Sequence, residues 1–118
     1  MTLEELKQRL VEGCRKLDLP EPIAVKRGFS YAKFELRIAR ETSIEVYFNE
    51  ERQSLTSALI DRRKRVFGID DYPEGGVSHV HPLGRVDEHV RISPMQIEEI
   101  LGQYVEVLRQ LRGAGSEW

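Results

Sequence analysis

Between residues 32 and 48 the apolar side chains keep a period of two. Ala32, Phe34, Leu36 and Ile38 alternate with Lys33, Glu35 and Arg37, and Ile44, Val46 and Phe48 enclose Glu45 and Tyr47. Successive side chains of an extended chain point to opposite faces, so the pattern predicts strands with one buried and one polar face. Arg40-Glu41-Thr42 is a link short enough for a hairpin. Leu55 to Ile60 and Arg65 to Ile69 read as a second pair, joined by the charged turn Asp61-Arg62-Arg63-Lys64, and a short strand at Ile23 to Val25 precedes them. Asp70 to Gly76 reads as a loop on turn chemistry. Val77 to His81 and Val86 to Ile92 then read as short strands or an extended excursion about the turn Pro82-Leu83-Gly84.

Both ends of the chain switch to a helical period. Leu3, Leu6, Leu10, Cys14 and Leu17 place an amphipathic helix over residues 2 to 18, opened by a Thr2/Glu5 capping box and stopped by Pro20 and Pro22. Ser93 suits an N-cap, Pro94 the first helical position, and Gln96 the return partner of a second capping box. That helix should bury Ile97, Ile100, Leu101, Tyr104, Val105, Leu108 and Leu111, and end at Gly113 and Gly115. The order helix, strands, helix predicts an α+β fold: an N-terminal helix, an antiparallel sheet of about four to six strands, and a C-terminal helix packed on one face. Residues 1–118 read as a single domain, with 113–118 frayed.

Composition bounds the function classes. The chain has 118 residues, is 40% hydrophobic and 32% charged, and carries a net charge of −2, a balance that gives no overall steering toward nucleic acid. Cys14 is the single cysteine, has no disulfide partner in the chain and reads as a buried hydrophobe, which fits a reducing compartment. No basic segment followed by an apolar run opens the sequence, and no apolar run is long enough to span a membrane, so a cytoplasmic location is expected. One asparagine, one cysteine and an Arg/Glu-rich surface make the composition thermophile-like.

All three histidines fall between Asp70 and Arg91. His79 and His81 share a face of an extended segment. If Pro82 to Arg85 turns the chain back, His89, which shares a face with Asp87 and Arg91, approaches them. A divalent transition metal would take His79, His81 and His89, with Asp70 or Asp71 completing the set. Metal-free RNA cleavage would instead use His79 and His81 as base and acid, with Arg85 or Arg91 stabilising the phosphorane charge. Arg62, Arg63, Lys64 and Arg65 form the only basic cluster and suit a phosphate backbone, and Tyr31, Tyr47 and Tyr72 are able to stack on bases. Each feature also has a plain structural reading: hydrogen-bonded strand histidines, a charged turn guarding an edge, ordinary sheet tyrosines, turn-forming aspartates. A non-enzymatic module binding a protein partner or small ligand on the open sheet face, through residues such as Tyr47, is the alternative. An open sheet with free edges also allows a homodimer.

The segment from Val66 to His81 runs from a strand into Phe67-Gly68-Ile69-Asp70-Asp71, then a Gly/Pro loop and His79-Val80-His81-Pro82, and is followed by the helix opened by Ser93-Pro94. Over residues 30 to 110 this resembles the TumE-like family of small prokaryotic toxin–antitoxin proteins. That family tends to carry an Arg-aromatic-Asp-Asn motif before its histidines. Here the arginine, Arg65, is displaced and Asp71 stands in place of the asparagine. The resemblance implies a toxin component with an antitoxin partner and an RNA target. The expectation that follows is RNA cleavage through His79 and His81 with Asp70, Asp71 and Arg91.

Overall fold

The computed structural model describes residues 1–71 and 78–113. Residues 72–77, with Tyr72, Val77 and the rest of the expected loop, and residues 114–118 lie outside the described residues. The chain folds as α1 (Leu3–Lys16), β1 (Ile23–Arg27), β2 (Tyr31–Ala39), β3 (Thr42–Asn49), β4 (Ser54–Asp61), β5 (Lys64–Asp71), β6 (His79–His81), β7 (Val90–Arg91) and α2 (Ile97–Gly113). The strands form one sheet in the order β1-β2-β3-β4-β5-β6-β7, with every neighbouring pair antiparallel. This is the expected α+β architecture, with a seven-stranded sheet in place of about four to six.

The period of two decides which face is covered. Ala32, Phe34, Leu36, Ile44, Val46, Phe48, Leu55, Leu59, Phe67 and Ile69 are buried and meet Leu6, Leu10 and Cys14 of α1 and Ile100, Leu101, Tyr104, Val107 and Leu108 of α2. Each fully buried aliphatic or aromatic side chain contributes roughly 1.5–3 kcal/mol. The helices approach closely at Gly13, where a Cβ would stand 2.7 Å from Leu101 Cδ1. Tyr104 is completely buried, packs edge-on to Phe67 at 5.3 Å and donates its hydroxyl hydrogen bond to Ser57 Oγ at 2.8 Å. Ser57 Oγ in turn donates to the Ile69 carbonyl at 2.8 Å. Helix α2 is thereby tied to the β4–β5 pair by polar groups that satisfy one another in the core.

The ends of the elements follow local chemistry. Glu5 N–H donates to Thr2 Oγ1 at 3.1 Å and Thr2 N–H to Glu5 Oε1 at 3.3 Å, the expected capping box of α1. Arg62 and Arg63 both hold positive φ, 51° and 69°, in the two-residue β4–β5 hairpin turn; turns of this hand match strand twist. Helix α2 starts at Ile97, later than Pro94. Met95 is drawn against the core, and the return cap is made by Glu99 Oε1 on Gln96 N–H at 3.1 Å. Asp70 and Asp71 belong to β5, paired with Thr56 and Leu55, and not to a loop. Only Val90 and Arg91 of the expected strand 86–92 are paired, because residues 82 to 88 fold into two successive turns, Arg85 N–H to Pro82 O and Glu88 N–H to Arg85 O. No helix of the described residues is long and apolar enough to cross a membrane.

Burial raises the Cys14 thiol from 9.0 to about 11. Thiolate is the reactive form, so it is scarce until the pH approaches that value. Cys14 in the folded protein is expected to react with iodoacetamide at about pH 8 far more slowly than after unfolding in guanidinium chloride. Equal rates in the two states, followed by mass spectrometry, would contradict the packing described.

A candidate metal centre on the open face of the sheet

The face opposite the helices carries Asp70 and the β6 histidines. Antiparallel register sets Asp70 of β5 directly across from His79 of β6, and Gly68 across from His81. Arg91 of β7 lies across from His79. Asp70, His79, His81 and Arg91 therefore share one side of the sheet, since side chains alternate along each strand. His89 precedes β7 by one residue, and its ring centroid lies 4.7 Å from that of His79 and 4.4 Å from that of His81. The His79 and His81 rings are 5.1 Å apart. One ligand nitrogen from each of the three imidazoles falls within 4.8 Å of the others.

Asp70 closes the cluster. Its Oδ2 lies 3.0 Å from His79 Nε2 and 3.0 Å from His81 Nε2, so one carboxylate oxygen serves two imidazoles. His81 is 3% exposed and its Nδ1 sits 3.0 Å from the Val86 carbonyl oxygen. A carbonyl only accepts, so Nδ1–H donates, and a neutral His81 ring then turns the Nε2 lone pair toward Asp70. Two acceptors face each other at contact distance, an arrangement completed by a cation, either a proton or a metal ion. An imidazole fixed in this tautomer by a backbone carbonyl is also the usual outer-shell arrangement of a metal-ligating histidine.

The donor set fits an ion of the zinc, nickel or iron type, for which imidazole and carboxylate are common ligands. With bonds of about 2.0–2.1 Å, neighbouring ligand atoms of a tetrahedral site lie ~3.4 Å apart. The Asp70–His79 and Asp70–His81 contacts each come within a few tenths of an ångström of that spacing. His89 is exposed, just outside the β6–β7 ladder, with a ligand nitrogen within 4.8 Å of those of His79 and His81.

Small residues and turns hold the cluster. Gly68 lies under the His81 ring: a Cβ there would be 3.5 Å from His81 Cδ2 and 3.0 Å from the Ser57 carbonyl oxygen. Gly84 has φ of 79° at the third position of the Pro82–Arg85 turn, a conformation glycine adopts without strain. That turn and the next carry the chain round so that the Val86 carbonyl reaches His81.

The other sequence-derived site residues separate. Asp71 points to the helix side, is 7% exposed, and accepts a very short hydrogen bond from Ser78 Oγ. It does not join the histidines. Arg85 pairs with Glu88 at 3.0 Å on the surface. Arg62, Arg63 and Lys64 occupy the exposed β4–β5 turn, six residues or about 20 Å along β5 from Asp70. Arg65 differs from its neighbours in the cluster. A bulge between Leu59 and Ile60 pairs Arg65 with Ile60, and Arg65 lines the same open-face groove as Asp70. Without the bulge, five residues of separation would put the two side chains on opposite faces. Neither the Val86 carbonyl, nor the Gly68 cradle, nor this bulge has a signal in the sequence read alone.

No family model, curated protein or solved structure matches the chain.

Gly68→Val should push His81 off the sheet and strain the Ser57 carbonyl, lowering stability by about 1–3 kcal/mol. Thermal unfolding measures that loss, and histidine side-chain NMR shifts report the displaced ring. Unchanged His81 shifts would show that Gly68 does not seat it.

Proposed function

We propose that the protein binds a divalent transition metal through Asp70, His79, His81 and His89 and cleaves RNA there, as a TumE-like toxin component. The observation that carries the reading is the single Asp70 oxygen shared at 3.0 Å by two imidazole nitrogens, with His81 already committed at its other nitrogen to Val86. A bound ion of this class polarises a phosphoryl oxygen and brings a coordinated water toward neutral acidity. Arg91, across from His79, offers a guanidinium for charge developing on the phosphate. Asp70, His79 and His81 are among the residues through which the sequence resembles TumE-like proteins. That setting brings a protein antitoxin as partner.

A second reading uses the same residues without metal. Asp70 orients both histidines as a carboxylate orients a general base, and His79 and His81 exchange protons with the 2′-hydroxyl and the leaving oxygen. One experiment separates the two.

Untagged protein is expected to carry stoichiometric zinc, nickel, iron or manganese by elemental analysis, and to lose RNA cleavage on chelation and regain it with the metal. Metal at a hundred times its Kd should add about 2.7 kcal/mol of stability, and His79→Ala should abolish that gain. Metal-free protein that still cleaves RNA selects the acid–base reading. Metal-free, inactive protein selects a non-enzymatic binding module. On expression in a sensitive host, His79→Ala and His81→Ala should each relieve growth arrest while the purified variants still melt cooperatively. Toxicity retained by both would remove the site from the mechanism.

A further inference from the structure

Beside the histidine cluster, the open face holds a trough of about 260 Å³ lined by Lys33, Glu45, Tyr47, Thr56, Ala58, Arg65 and Asp70. We infer that this trough is the subsite that seats one nucleotide of a single-stranded RNA, its base on Tyr47 and a phosphate on Arg65. The inference rests on the RNA-cleaving reading for its substrate and stands apart from the metal.

Register makes the trough and the cluster one surface. Lys33, Tyr47, Thr56, Asp70, His79 and Arg91 are successive cross-strand partners from β2 to β7. Side chains in such a row stand side by side on one face. Thr56 and Ala58 on β4 and Gly68 on β5 are small, so the sheet is low between the Tyr47 ridge and the histidines. Two strand spacings, about 10 Å, separate Tyr47 from Asp70. A nucleotide whose base rests on Tyr47 therefore has its sugar over Thr56 and its linkage at Asp70.

The walls have the chemistry of a nucleotide site. Tyr47 is braced from behind by Tyr31, ring centroids 5.8 Å apart. Tyr31 in turn lies on the Gly28 backbone, where a Cβ would be 2.0 Å from its Cε1. An aromatic ring held in place is what base stacking uses. Lys33 pairs with Glu45 at 3.3 Å, which cancels the Glu45 charge inside the trough. Asp70 is turned to the two histidines. Arg65, which the β4–β5 bulge brings to this face, makes no ion pair among the described residues. Its guanidinium lines the trough with no carboxylate partner among the described residues and matches phosphate geometry.

The test is fluorescence anisotropy with a labelled hexauridylate RNA and its DNA counterpart. It is run in the His79→Ala background so that the strand stays intact, in the presence of chelator. Tyr47→Ala should weaken RNA binding about tenfold or more, and Tyr47→Phe should retain it, as stacking requires. Arg65→Ala should weaken binding and reduce the slope of log affinity against log salt by about one. Lys64→Ala, on the hairpin turn, should change the affinity little. Metal content of the otherwise unaltered chain should be the same with and without Tyr47→Ala, so a failed metal reading leaves this result readable. Equal affinity in the Tyr47→Ala, Arg65→Ala and reference chains overturns the subsite, as does an absence of oligonucleotide binding. Loss in Tyr47→Ala and Tyr47→Phe alike would assign Tyr47 a structural role and overturn it too. DNA bound as tightly as RNA would overturn its assignment to RNA.

Discussion

The structure depends on a division of labour between the two faces of one sheet. Alternation from Ala32 to Ile69 commits one face to α1 and α2, and the helices bury it completely enough that Leu36, Ile44, Leu59 and Tyr104 have no exposed surface. Among the described residues no helix covers the opposite face, which is free to carry charge. An antiparallel sheet tolerates this arrangement, one face dry and one wet, where a parallel sheet would need both faces covered. Among the described residues, the candidate chemical groups other than Asp71 lie on the wet side or at its edge. A register slip of one residue anywhere from β2 to β6 would exchange the faces, burying Lys33 and Asp70 and exposing Phe34 and Ile69. The core thus enforces the register that brings Asp70 opposite His79.

The fold was readable to the extent that it is local. The hairpin at Arg40 and Glu41, the capping box at Thr2 and the turn at Arg62 and Arg63 are set by neighbours in sequence, and each lies where periodicity and turn chemistry place it; on α2 the buried face takes Val107, while Val105 and Leu111, expected inside, are half-buried. Helix α2 starts three residues after Pro94 because the pull of Met95 toward the core, a tertiary effect, outweighs a good local start signal. The same applies to Asp70 and Asp71. Taken alone they are turn formers, but the ladder to Leu55 and Thr56 extends β5 through both.

At the site, identity was legible and geometry was not. Two histidines at i and i+2 share a face in any strand, so His79 and His81 follow from sequence. That His89 completes the set depends on two turns whose lengths bring the chain back, and on Gly84 supporting the first of them. Adjacent aspartates with the same turn propensity part completely. Strand alternation sends Asp70 to the histidines and Asp71 to Ser78 on the helix side. One residue of offset decides between a carboxylate facing the histidines and one facing the helix side. Arg65 reverses the lesson: its parity places it with Asp71, and only a bulge delivers it to Asp70's face.

A net charge of −2 gives the whole molecule no attraction for a polyanion. Recognition, if it is to occur, must come from local contacts over a few ångströms, where screening at physiological salt has little reach. The open face is arranged for that. Glu45 is matched by Lys33, and Asp70 is turned to two imidazole nitrogens, so each acid nearest the trough has a partner at contact distance. Arg65 and Arg91 then stand on either side of Asp70, one on the trough and one across from His79. The more distant cluster Arg62, Arg63 and Lys64 adds charge without direction, since it projects from an exposed turn about 20 Å away. On the proposed reading, selectivity would reside in the Tyr47 surface and the Asp70 junction. Shape and stacking there would distinguish one anion from another in a way that a basic patch does not.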